Sequence, residues 1–198
     1  MLAFRLETWR EARVILIFHI VGTVMELFKT HADSRTYPEA SVLHIGAVPL
    51  FSGFMYAAVG SYIARLWRIF DFRFTGYPPA WATWALAAAI CANFFTHHFM
   101  IDLRWGLFAA TAEIFWRTRV NFRNWRKHRW MPLLVCFGLV ALFIWFAENI
   151  ATFANARNYA GQKAEWHIVS VGKYGSWYLL MLISFVLVTL VQPVRAPD

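Results

Sequence analysis

Six apolar stretches constrain the fold of this sequence more than any other feature. Each is close to the ~20 residues that a helix needs to cross a bilayer. In a chain of 198 residues, of which 60% are hydrophobic and 15% are charged, they leave little room for a soluble domain. The sequence therefore predicts an all-α, polytopic transmembrane bundle of about six helices in one domain, residues 1–198. The stretches are Val14–Thr30, Val48–Ile69, Pro79–Met100, Leu103–Trp116, Met131–Phe153 and Tyr174–Gln192.

The fourth stretch is shorter than the others. It reaches the length of a span only if its helix continues through Arg117 and Val120, with the arginine head groups extending to the interface. Whether the fourth stretch spans the membrane therefore depends on that continuation.

Basic residues are distributed unevenly between the connections. With the N-terminus in the cytoplasm, the outer connections hold six of the 19 lysines and arginines: Lys29, Arg35, Arg104, Arg157, Lys163 and Lys173. All the others fall on the cytoplasmic side. This asymmetry follows the positive-inside rule, and it predicts a multi-pass membrane protein with both termini in the cytoplasm.

The same distribution argues against a nucleic-acid-binding protein. The net charge of +8 comes from short segments between apolar stretches and forms no single basic footprint. The longest of these segments, RTRVNFRNWRKHR, is predicted to be a solvated loop that contacts anionic lipid head groups. Cys91 and Cys136 lie in apolar stretches and indicate neither a disulfide framework nor a metal site.

Ionisable side chains interrupt the apolar stretches at similar depths. Glu26 lies near the end of the first stretch, the third ends with His97 and His98, and the fifth carries Glu148 near its far end. Charged groups within a bilayer usually face the interior of a bundle and mark functional sites. We therefore predict an outward-facing polar pocket between these helices.

These residue types suit acid–base chemistry or metal binding. A carboxyl group in apolar surroundings retains its proton more readily, so Glu26 or Glu148 is a candidate general acid, with His97 or His98 as its partner. The same four side chains could bind zinc or a non-haem iron, although the chain lacks an H-E-x-x-H helix. Orienting and binding roles are predicted for Asp102, Asn149, Lys29, Tyr37, Glu39 and Tyr56.

Helical spacing predicts how the first two helices meet. Glu26 shares one face of the first helix with other polar side chains, His19, Thr23 and Thr30. In the second helix, small residues form a surface that suits close packing of helices. These small residues are Gly53, Ala57, Gly60 and Ser61.

Several long strings in the sequence are specific enough to compare with known families. They are FHIVGTVMELFKT, YPE, IGAVPLFSGFMYAAVGSYI, ANFFTHH and ALFIWFAENIATFA. With them the chain resembles the uncharacterised bacterial YoaT-like family of integral membrane proteins (domain of unknown function family 817), from about Leu6 to Pro193. Members of that family begin with further membrane segments, so the resemblance implies a longer N-terminal part in relatives. The string ADSRTYPE departs from the family, which tends to have Gly-Ser-Trp before Tyr-Pro-Glu. The family supplies no established activity.

A fainter similarity concerns membrane carotenoid hydratases and cyclases, which place a tyrosine-bearing loop before a G-x-P-L helix entry. It implies an isoprenoid-like substrate. The matching residues are Glu26, Tyr37, Gly46, Val48, Pro49 and Leu50.

Three functions therefore remain open from the sequence. The preferred hypothesis is a membrane-embedded enzyme or binding protein for a lipophilic substrate, whether a lipid or an isoprenoid-like molecule. The second is a small-solute or proton-coupled transporter, which the absence of broken helices in matching halves disfavours. The third is a structural or assembly subunit whose polar groups bind helices together.

Overall fold

The computed structural model describes residues 8–32, 37, 42–96, 101–154 and 166–197. These residues are mainly helical and include two small antiparallel sheets. The helices are α1 (Trp9–His31), α2 (Leu50–Ile69), α3 (Ala80–Thr96), α4 (Arg104–Phe115), α5 (Leu133–Phe153) and α6 (Val171–Val188). The strands are β1 (His44–Ile45), β2 (Val48–Pro49), β3 (Arg73–Thr75), β4 (Arg119–Asn124) and β5 (Lys127–Pro132).

Local sequence signals start four of the helices. Thr8 and Glu11 form a capping box at the start of α1, in which each side chain accepts a hydrogen bond from the backbone of the other residue. A proline immediately precedes α2, α3 and α5, where its fixed φ is compatible with the first turn and its missing N–H has no helical partner to lose. These prolines are Pro49, Pro79 and Pro132.

The strands correct the prediction of an all-α chain. Strand β4 pairs with β3 on one side and with β5 on the other, both antiparallel. The basic segment that was expected to be a solvated loop thus forms a β-hairpin. Trp125 in its two-residue turn adopts a φ of 57°, a value of the kind that tight hairpin turns require.

The fourth helix lies within its predicted stretch, Leu103–Trp116, and does not continue through Arg117 and Val120. Helix α4 stops at Phe115, because the chain turns there to enter the sheet. The buried hydroxyl of Thr118 donates to the carbonyl of Gly76 at 3.0 Å, and the carbonyl of Thr118 accepts from the backbone N–H of Leu133 at 2.9 Å. These bonds replace the helical ones that a longer α4 would have made.

Both ends of the described chain lie at the same end of the bundle as the three-stranded sheet. The backbone N–H of Phe74 in β3 donates to the carbonyl of Arg195 at 2.8 Å. Glu11 at the start of α1 pairs with Arg68 at the end of α2, at 3.3 Å. We call this the sheet end, and we call the opposite end, where α1, α3 and α5 end, the far end. Because the six described helices alternate in direction, the first begins and the last ends at the sheet end.

Helix α6 lies at the centre of the bundle. It contacts α2, α3 and α5, and side chains all around it are buried, among them Leu182, Val186 and Val188 at 0% exposure. Towards the sheet end, the rings of Trp67 and Phe185 stack with centroids 5.3 Å apart. Within the described ranges, α5 and α6 are the two helices long and apolar enough to cross a membrane by the usual criteria of length and composition.

Helices α1 and α2 pack closely through glycines, as the small-residue surface of α2 predicts. A Cβ atom added to Gly53 would lie 2.3 Å from the hydroxyl of Thr23, and one added to Gly60 would lie 2.7 Å from the ring of Phe18. Ala57 between them is buried. The two backbones therefore approach more closely than larger side chains would permit.

Candidate functional site

The carboxylate of Glu26 is fully buried and lies at the centre of a group of hydrogen bonds. Its Oε1 atom accepts from the phenol of Tyr56 at 2.7 Å and from the ammonium of Lys29 at 3.2 Å. Its Oε2 atom accepts from the phenol of Tyr37 at 2.7 Å. Lys29 also donates to the phenol oxygen of Tyr56 at 3.1 Å. We call these four residues the Glu26 cluster, and all four were predicted as site residues from the sequence.

Helix geometry explains why these side chains meet. Glu26 lies in the last two turns of α1, and Lys29 follows it by one turn on the same face. Tyr56 lies in the second turn of α2 and reaches Glu26 because Gly22 lets the two helices approach. A Cβ atom on Gly22 would lie 2.6 Å from the Cβ, Cγ and Cδ2 atoms of Tyr56. Gly22 therefore makes the position of Tyr56 sterically feasible.

Aromatic rings of α2 and α3 contact two members of the Glu26 cluster. The ammonium of Lys29 lies 5.0 Å from the ring centroid of Phe94 in α3. The ring of Phe28 in α1 packs edge-on against Phe95 at 4.9 Å, and that of Tyr37 packs edge-on against Phe51 in α2 at 6.0 Å. The polar groups thus lie within an apolar, aromatic environment at the far end.

A second buried carboxylate, Glu148, lies in the last two turns of α5. It is 1% exposed and accepts a short hydrogen bond from the indole N–H of Trp177 in the second turn of α6. The α5–α6 pair thus repeats the arrangement of α1 and α2, with a buried glutamate before the connection and an aromatic donor after it. Trp177 was not among the residues predicted to contact Glu148. Glu148 and Trp177 lie at similar distances from the connection between α5 and α6, and this similarity is the sequence signal that could have indicated their contact.

The described contacts of Asn149 are to backbone groups. Its side-chain amide donates to the carbonyl of Trp145 at 2.8 Å and accepts from the N–H of Val169 at 2.8 Å. The indole of Trp145 in turn donates to the carbonyl of Val169 at 3.1 Å. These bonds hold the segment that enters α6, which in turn positions Trp177 beside Glu148.

Asp102 links α3 with α4. It accepts hydrogen bonds from the side chain of Asn93 at 3.2 Å and from the backbone N–H of Arg104 at 3.0 Å. It also forms an ion pair with the guanidinium of Arg104 at 3.2 Å, and Arg104 extends to the carbonyl of Gly172 in α6. The aspartate therefore contributes to a polar connection between three helices at the far end.

His97, His98 and Glu39 lie outside the described residues. Among the residues that are described, no group of three or more His, Cys, Asp or Glu side chains could hold a metal ion. The predicted zinc or iron site includes both histidines and thus remains a prediction. The hydrogen bonds given above join Glu26 to α2 and Glu148 to α6, so the described contacts form two clusters on two helix pairs.

Comparison with known proteins assigns a family. The family model "Protein of unknown function (DUF817)" matches residues 1–185. The chain belongs to this family. It is 46% identical over 191 residues to the uncharacterized protein YoaT of Bacillus subtilis (strain 168), which covers 96% of this chain and 72% of that protein. The resemblance that the sequence motifs indicated is thereby confirmed.

The fold is similar to that of a solved protein of low sequence identity. A crystal structure of a mycobacterial Insig homolog, MvINS from Mycobacterium vanbaalenii, aligns over 98% of this chain and 99% of that one, with a TM-score of 0.67 and 13% identity. The structure of a cross-linked trimer of a cysteine variant of MvINS aligns with the same coverage and TM-score at 12% identity. The two alignments show a similar fold, within which α5 and α6 have the length and apolar composition of membrane-spanning helices.

Proposed function

We propose that this chain is a single multi-pass domain of the bacterial cytoplasmic membrane that binds a lipophilic small molecule at the Glu26 cluster. The observation that carries the proposal is the carboxylate of Glu26, which is 0% exposed and bound by two phenols and one ammonium. Burial of so many polar groups in one place is costly in an apolar environment, and such groups within a bilayer usually mark a functional site.

The surroundings of the cluster favour a ligand that is mostly apolar. Small-molecule sites typically combine apolar and aromatic walls with a few convergent polar groups. Here Phe51 and Phe94 supply rings that contact the cluster, and the cluster supplies both acceptors and donors. A hydroxyl or carbonyl group on a lipid or isoprenoid-like molecule matches this set, because it can accept from a phenol or an ammonium.

The same arrangement also suits an enzyme. The phenol of Tyr56 is hydrogen-bonded to both the ammonium of Lys29 and the carboxylate of Glu26. It can therefore give up or take a proton while it stays in contact with both charged groups. Such a group is suited to general acid–base catalysis on a bound hydroxyl or carbonyl. His97 and His98 remain the predicted partners, as zinc or iron ligands or as bases.

Identification of co-purified lipids tests the proposal. The protein and its Glu26→Gln and Tyr56→Phe variants would be purified in detergent, and the extracted lipids compared by mass spectrometry. Tyr62→Phe is the matched control, because Tyr62 is an exposed phenol on the same helix. We expect one lipophilic molecule to be enriched with the wild-type and Tyr62→Phe proteins and depleted about tenfold or more in the two cluster variants.

Equal lipid content in all folded proteins would contradict a binding role for the cluster. Elemental mass spectrometry on the same samples would test the metal hypothesis. Stoichiometric zinc or iron that is lost in a folded His97→Ala/His98→Ala variant would support metal-assisted chemistry. Solute uptake into proteoliposomes that depends on Glu26 would instead favour a transporter.

A further inference from the structure

A cavity of about 400 Å³ lies at the sheet end, at the opposite end of the molecule from the Glu26 cluster. It is enclosed by the start of α1, the end of α2 and the C-terminal tail. Each of these elements contributes one guanidinium group, from Arg10, Arg68 and Arg195 respectively. The other lining residues are Thr8, Trp9, Glu11, Val191, Gln192 and Pro193.

A second cavity of about 260 Å³ adjoins the first and shares Arg10 and Val191 with it. Its other lining residues are Arg13, Ile17 and Leu190. Ile17 lies about two turns further along α1 than Arg10, towards the centre of the bundle. The two cavities therefore extend from the basic residues at the sheet end to the apolar side chains of Ile17 and Leu190.

The charge in these cavities is mostly uncompensated. The carboxylate of Glu11 lies 3.3 Å from Arg68 and also accepts from Thr8, so it balances the charge of Arg68. Within the part of the chain that the structure describes, Arg10, Arg13 and Arg195 form no ion pair. The backbone of Arg195 is fixed by its bond from β3, which keeps the tail against the cavity. Three guanidinium groups thus line these two cavities, and none of them is paired with a carboxylate of the described ranges.

We propose that the two cavities form a binding site for an anionic phospholipid. The phosphodiester lies between Arg10 and Arg195, and an acyl chain extends past Ile17 and Leu190. Guanidinium groups bind phosphate oxygens with paired, charge-assisted hydrogen bonds. A phospholipid matches cavities whose lining changes from basic to apolar, because one molecule carries both an anionic head group and an apolar chain. The sheet end is also the predicted cytoplasmic side, where basic pockets between helices bind anionic head groups.

This proposal is independent of the proposed function, because its residues share no contact with the Glu26 cluster. Native mass spectrometry of the full chain in detergent provides the test, with phosphatidylglycerol, phosphatidylcholine of the same acyl chains, and inorganic phosphate as probes. The variants are Arg10→Gln/Arg195→Gln and, as control, Arg126→Gln in the exposed hairpin turn of the sheet end. We expect phosphatidylglycerol to bind about tenfold or more tightly than phosphatidylcholine.

In the double variant, the affinity for phosphatidylglycerol should fall by roughly fivefold for each arginine removed, while Arg126→Gln should retain the wild-type affinity. Equal affinities for the two lipids, or an equal loss in Arg126→Gln, would overturn the proposal. Inorganic phosphate that binds as tightly as phosphatidylglycerol would show that the ligand is a free anion and would overturn it too. If the double variant does not fold, the single variants Arg10→Gln and Arg195→Gln serve in its place, each with an expected loss of roughly fivefold.

Discussion

The phenol oxygen of Tyr56 lies 2.7 Å from the Oε1 atom of Glu26, and this hydrogen bond joins the second turn of α2 to the last turns of α1. The same phenol oxygen accepts from Lys29 at 3.1 Å. Tyr56 is thus both donor and acceptor in one buried group of charges. Its hydroxyl influences the stability of the helix pair as well as the chemistry of the candidate site.

Removal of that hydroxyl should destabilise the protein. Tyr56→Phe removes one of the donors to the Oε1 atom of Glu26 and one of the acceptors of the Lys29 ammonium. The loss of a buried hydrogen bond to a charged group costs about 1–3 kcal/mol. Thermal unfolding in detergent, followed by tryptophan fluorescence, measures the change. Tyr62→Phe removes an exposed phenol from the same helix and should leave the midpoint unchanged. Equal midpoints for both variants would contradict a structural role for the Tyr56 hydroxyl.

Lys29 and Glu26 should show strong energetic coupling. The carboxylate is 0% exposed and the lysine side chain 14% exposed, so solvent screens the pair little. Lys29→Met alone leaves a buried carboxylate without its ammonium and should cost about 3–5 kcal/mol. The double variant Glu26→Gln/Lys29→Met removes both charges and should be more stable than Lys29→Met. Strictly additive effects in the double-mutant cycle would argue that the pair is solvated.

Close packing at Gly22 should be essential for the Glu26 cluster. In Gly22→Ala, the new methyl group would lie 2.6 Å from three atoms of Tyr56, so α1 and α2 must separate or Tyr56 must move away from Glu26. Overpacking of this kind costs about 1–3 kcal/mol. Gly106→Ala is the matched control in α4, because nothing lies within 4 Å of its added Cβ. That variant should gain up to about 1 kcal/mol from helix propensity, and destabilisation of similar size in both would refute the packing argument.

The second glutamate should depend on its indole partner in the same way. Trp177→Phe retains an aromatic ring but removes the N–H that donates to Glu148. The cost should be about 1–3 kcal/mol for a buried carboxylate that loses a donor. Trp105→Phe changes an exposed indole at the far end and should have little effect. Chemical denaturation of both variants in detergent provides the comparison.

The sequence predicted the positions of the helices well, because span length and apolar composition act locally. Five predicted stretches overlap α1, α2, α3, α5 and α6 over most of their lengths. The β-hairpin was not predicted, because residues 119–132 were interpreted from their four arginines and one lysine alone. Its signal was the alternation of Val120 and Phe122 with Asn121 and Arg123, which is typical of a strand with one buried face. Charge alone did not reveal that periodicity.

The candidate site was also predicted only in part from the sequence. Glu26, Lys29 and Tyr56 were predicted from their types and from their places near one helix end, and the structure brings them into contact. Trp177 was not predicted as a partner of Glu148, because a single sequence does not reveal which helix packs against α5. Pairing of helices depends on steric fit at positions such as Gly22, and that fit is a property of two surfaces together.

The two ends of the bundle should lie on opposite sides of the membrane. Arg126 lies in the hairpin turn at the sheet end, and Ile101 is exposed at the far end. The excess of basic residues at the sheet end predicts that it faces the cytoplasm. A membrane-impermeant maleimide should therefore label Ile101→Cys in intact spheroplasts and Arg126→Cys in inverted membrane vesicles. The parent chain, with Cys91 and Cys136 in half-buried helical positions, provides the background. Labelling of both introduced cysteines from the same side would contradict the alternating arrangement, and reversed sides would keep the bundle but invert its orientation.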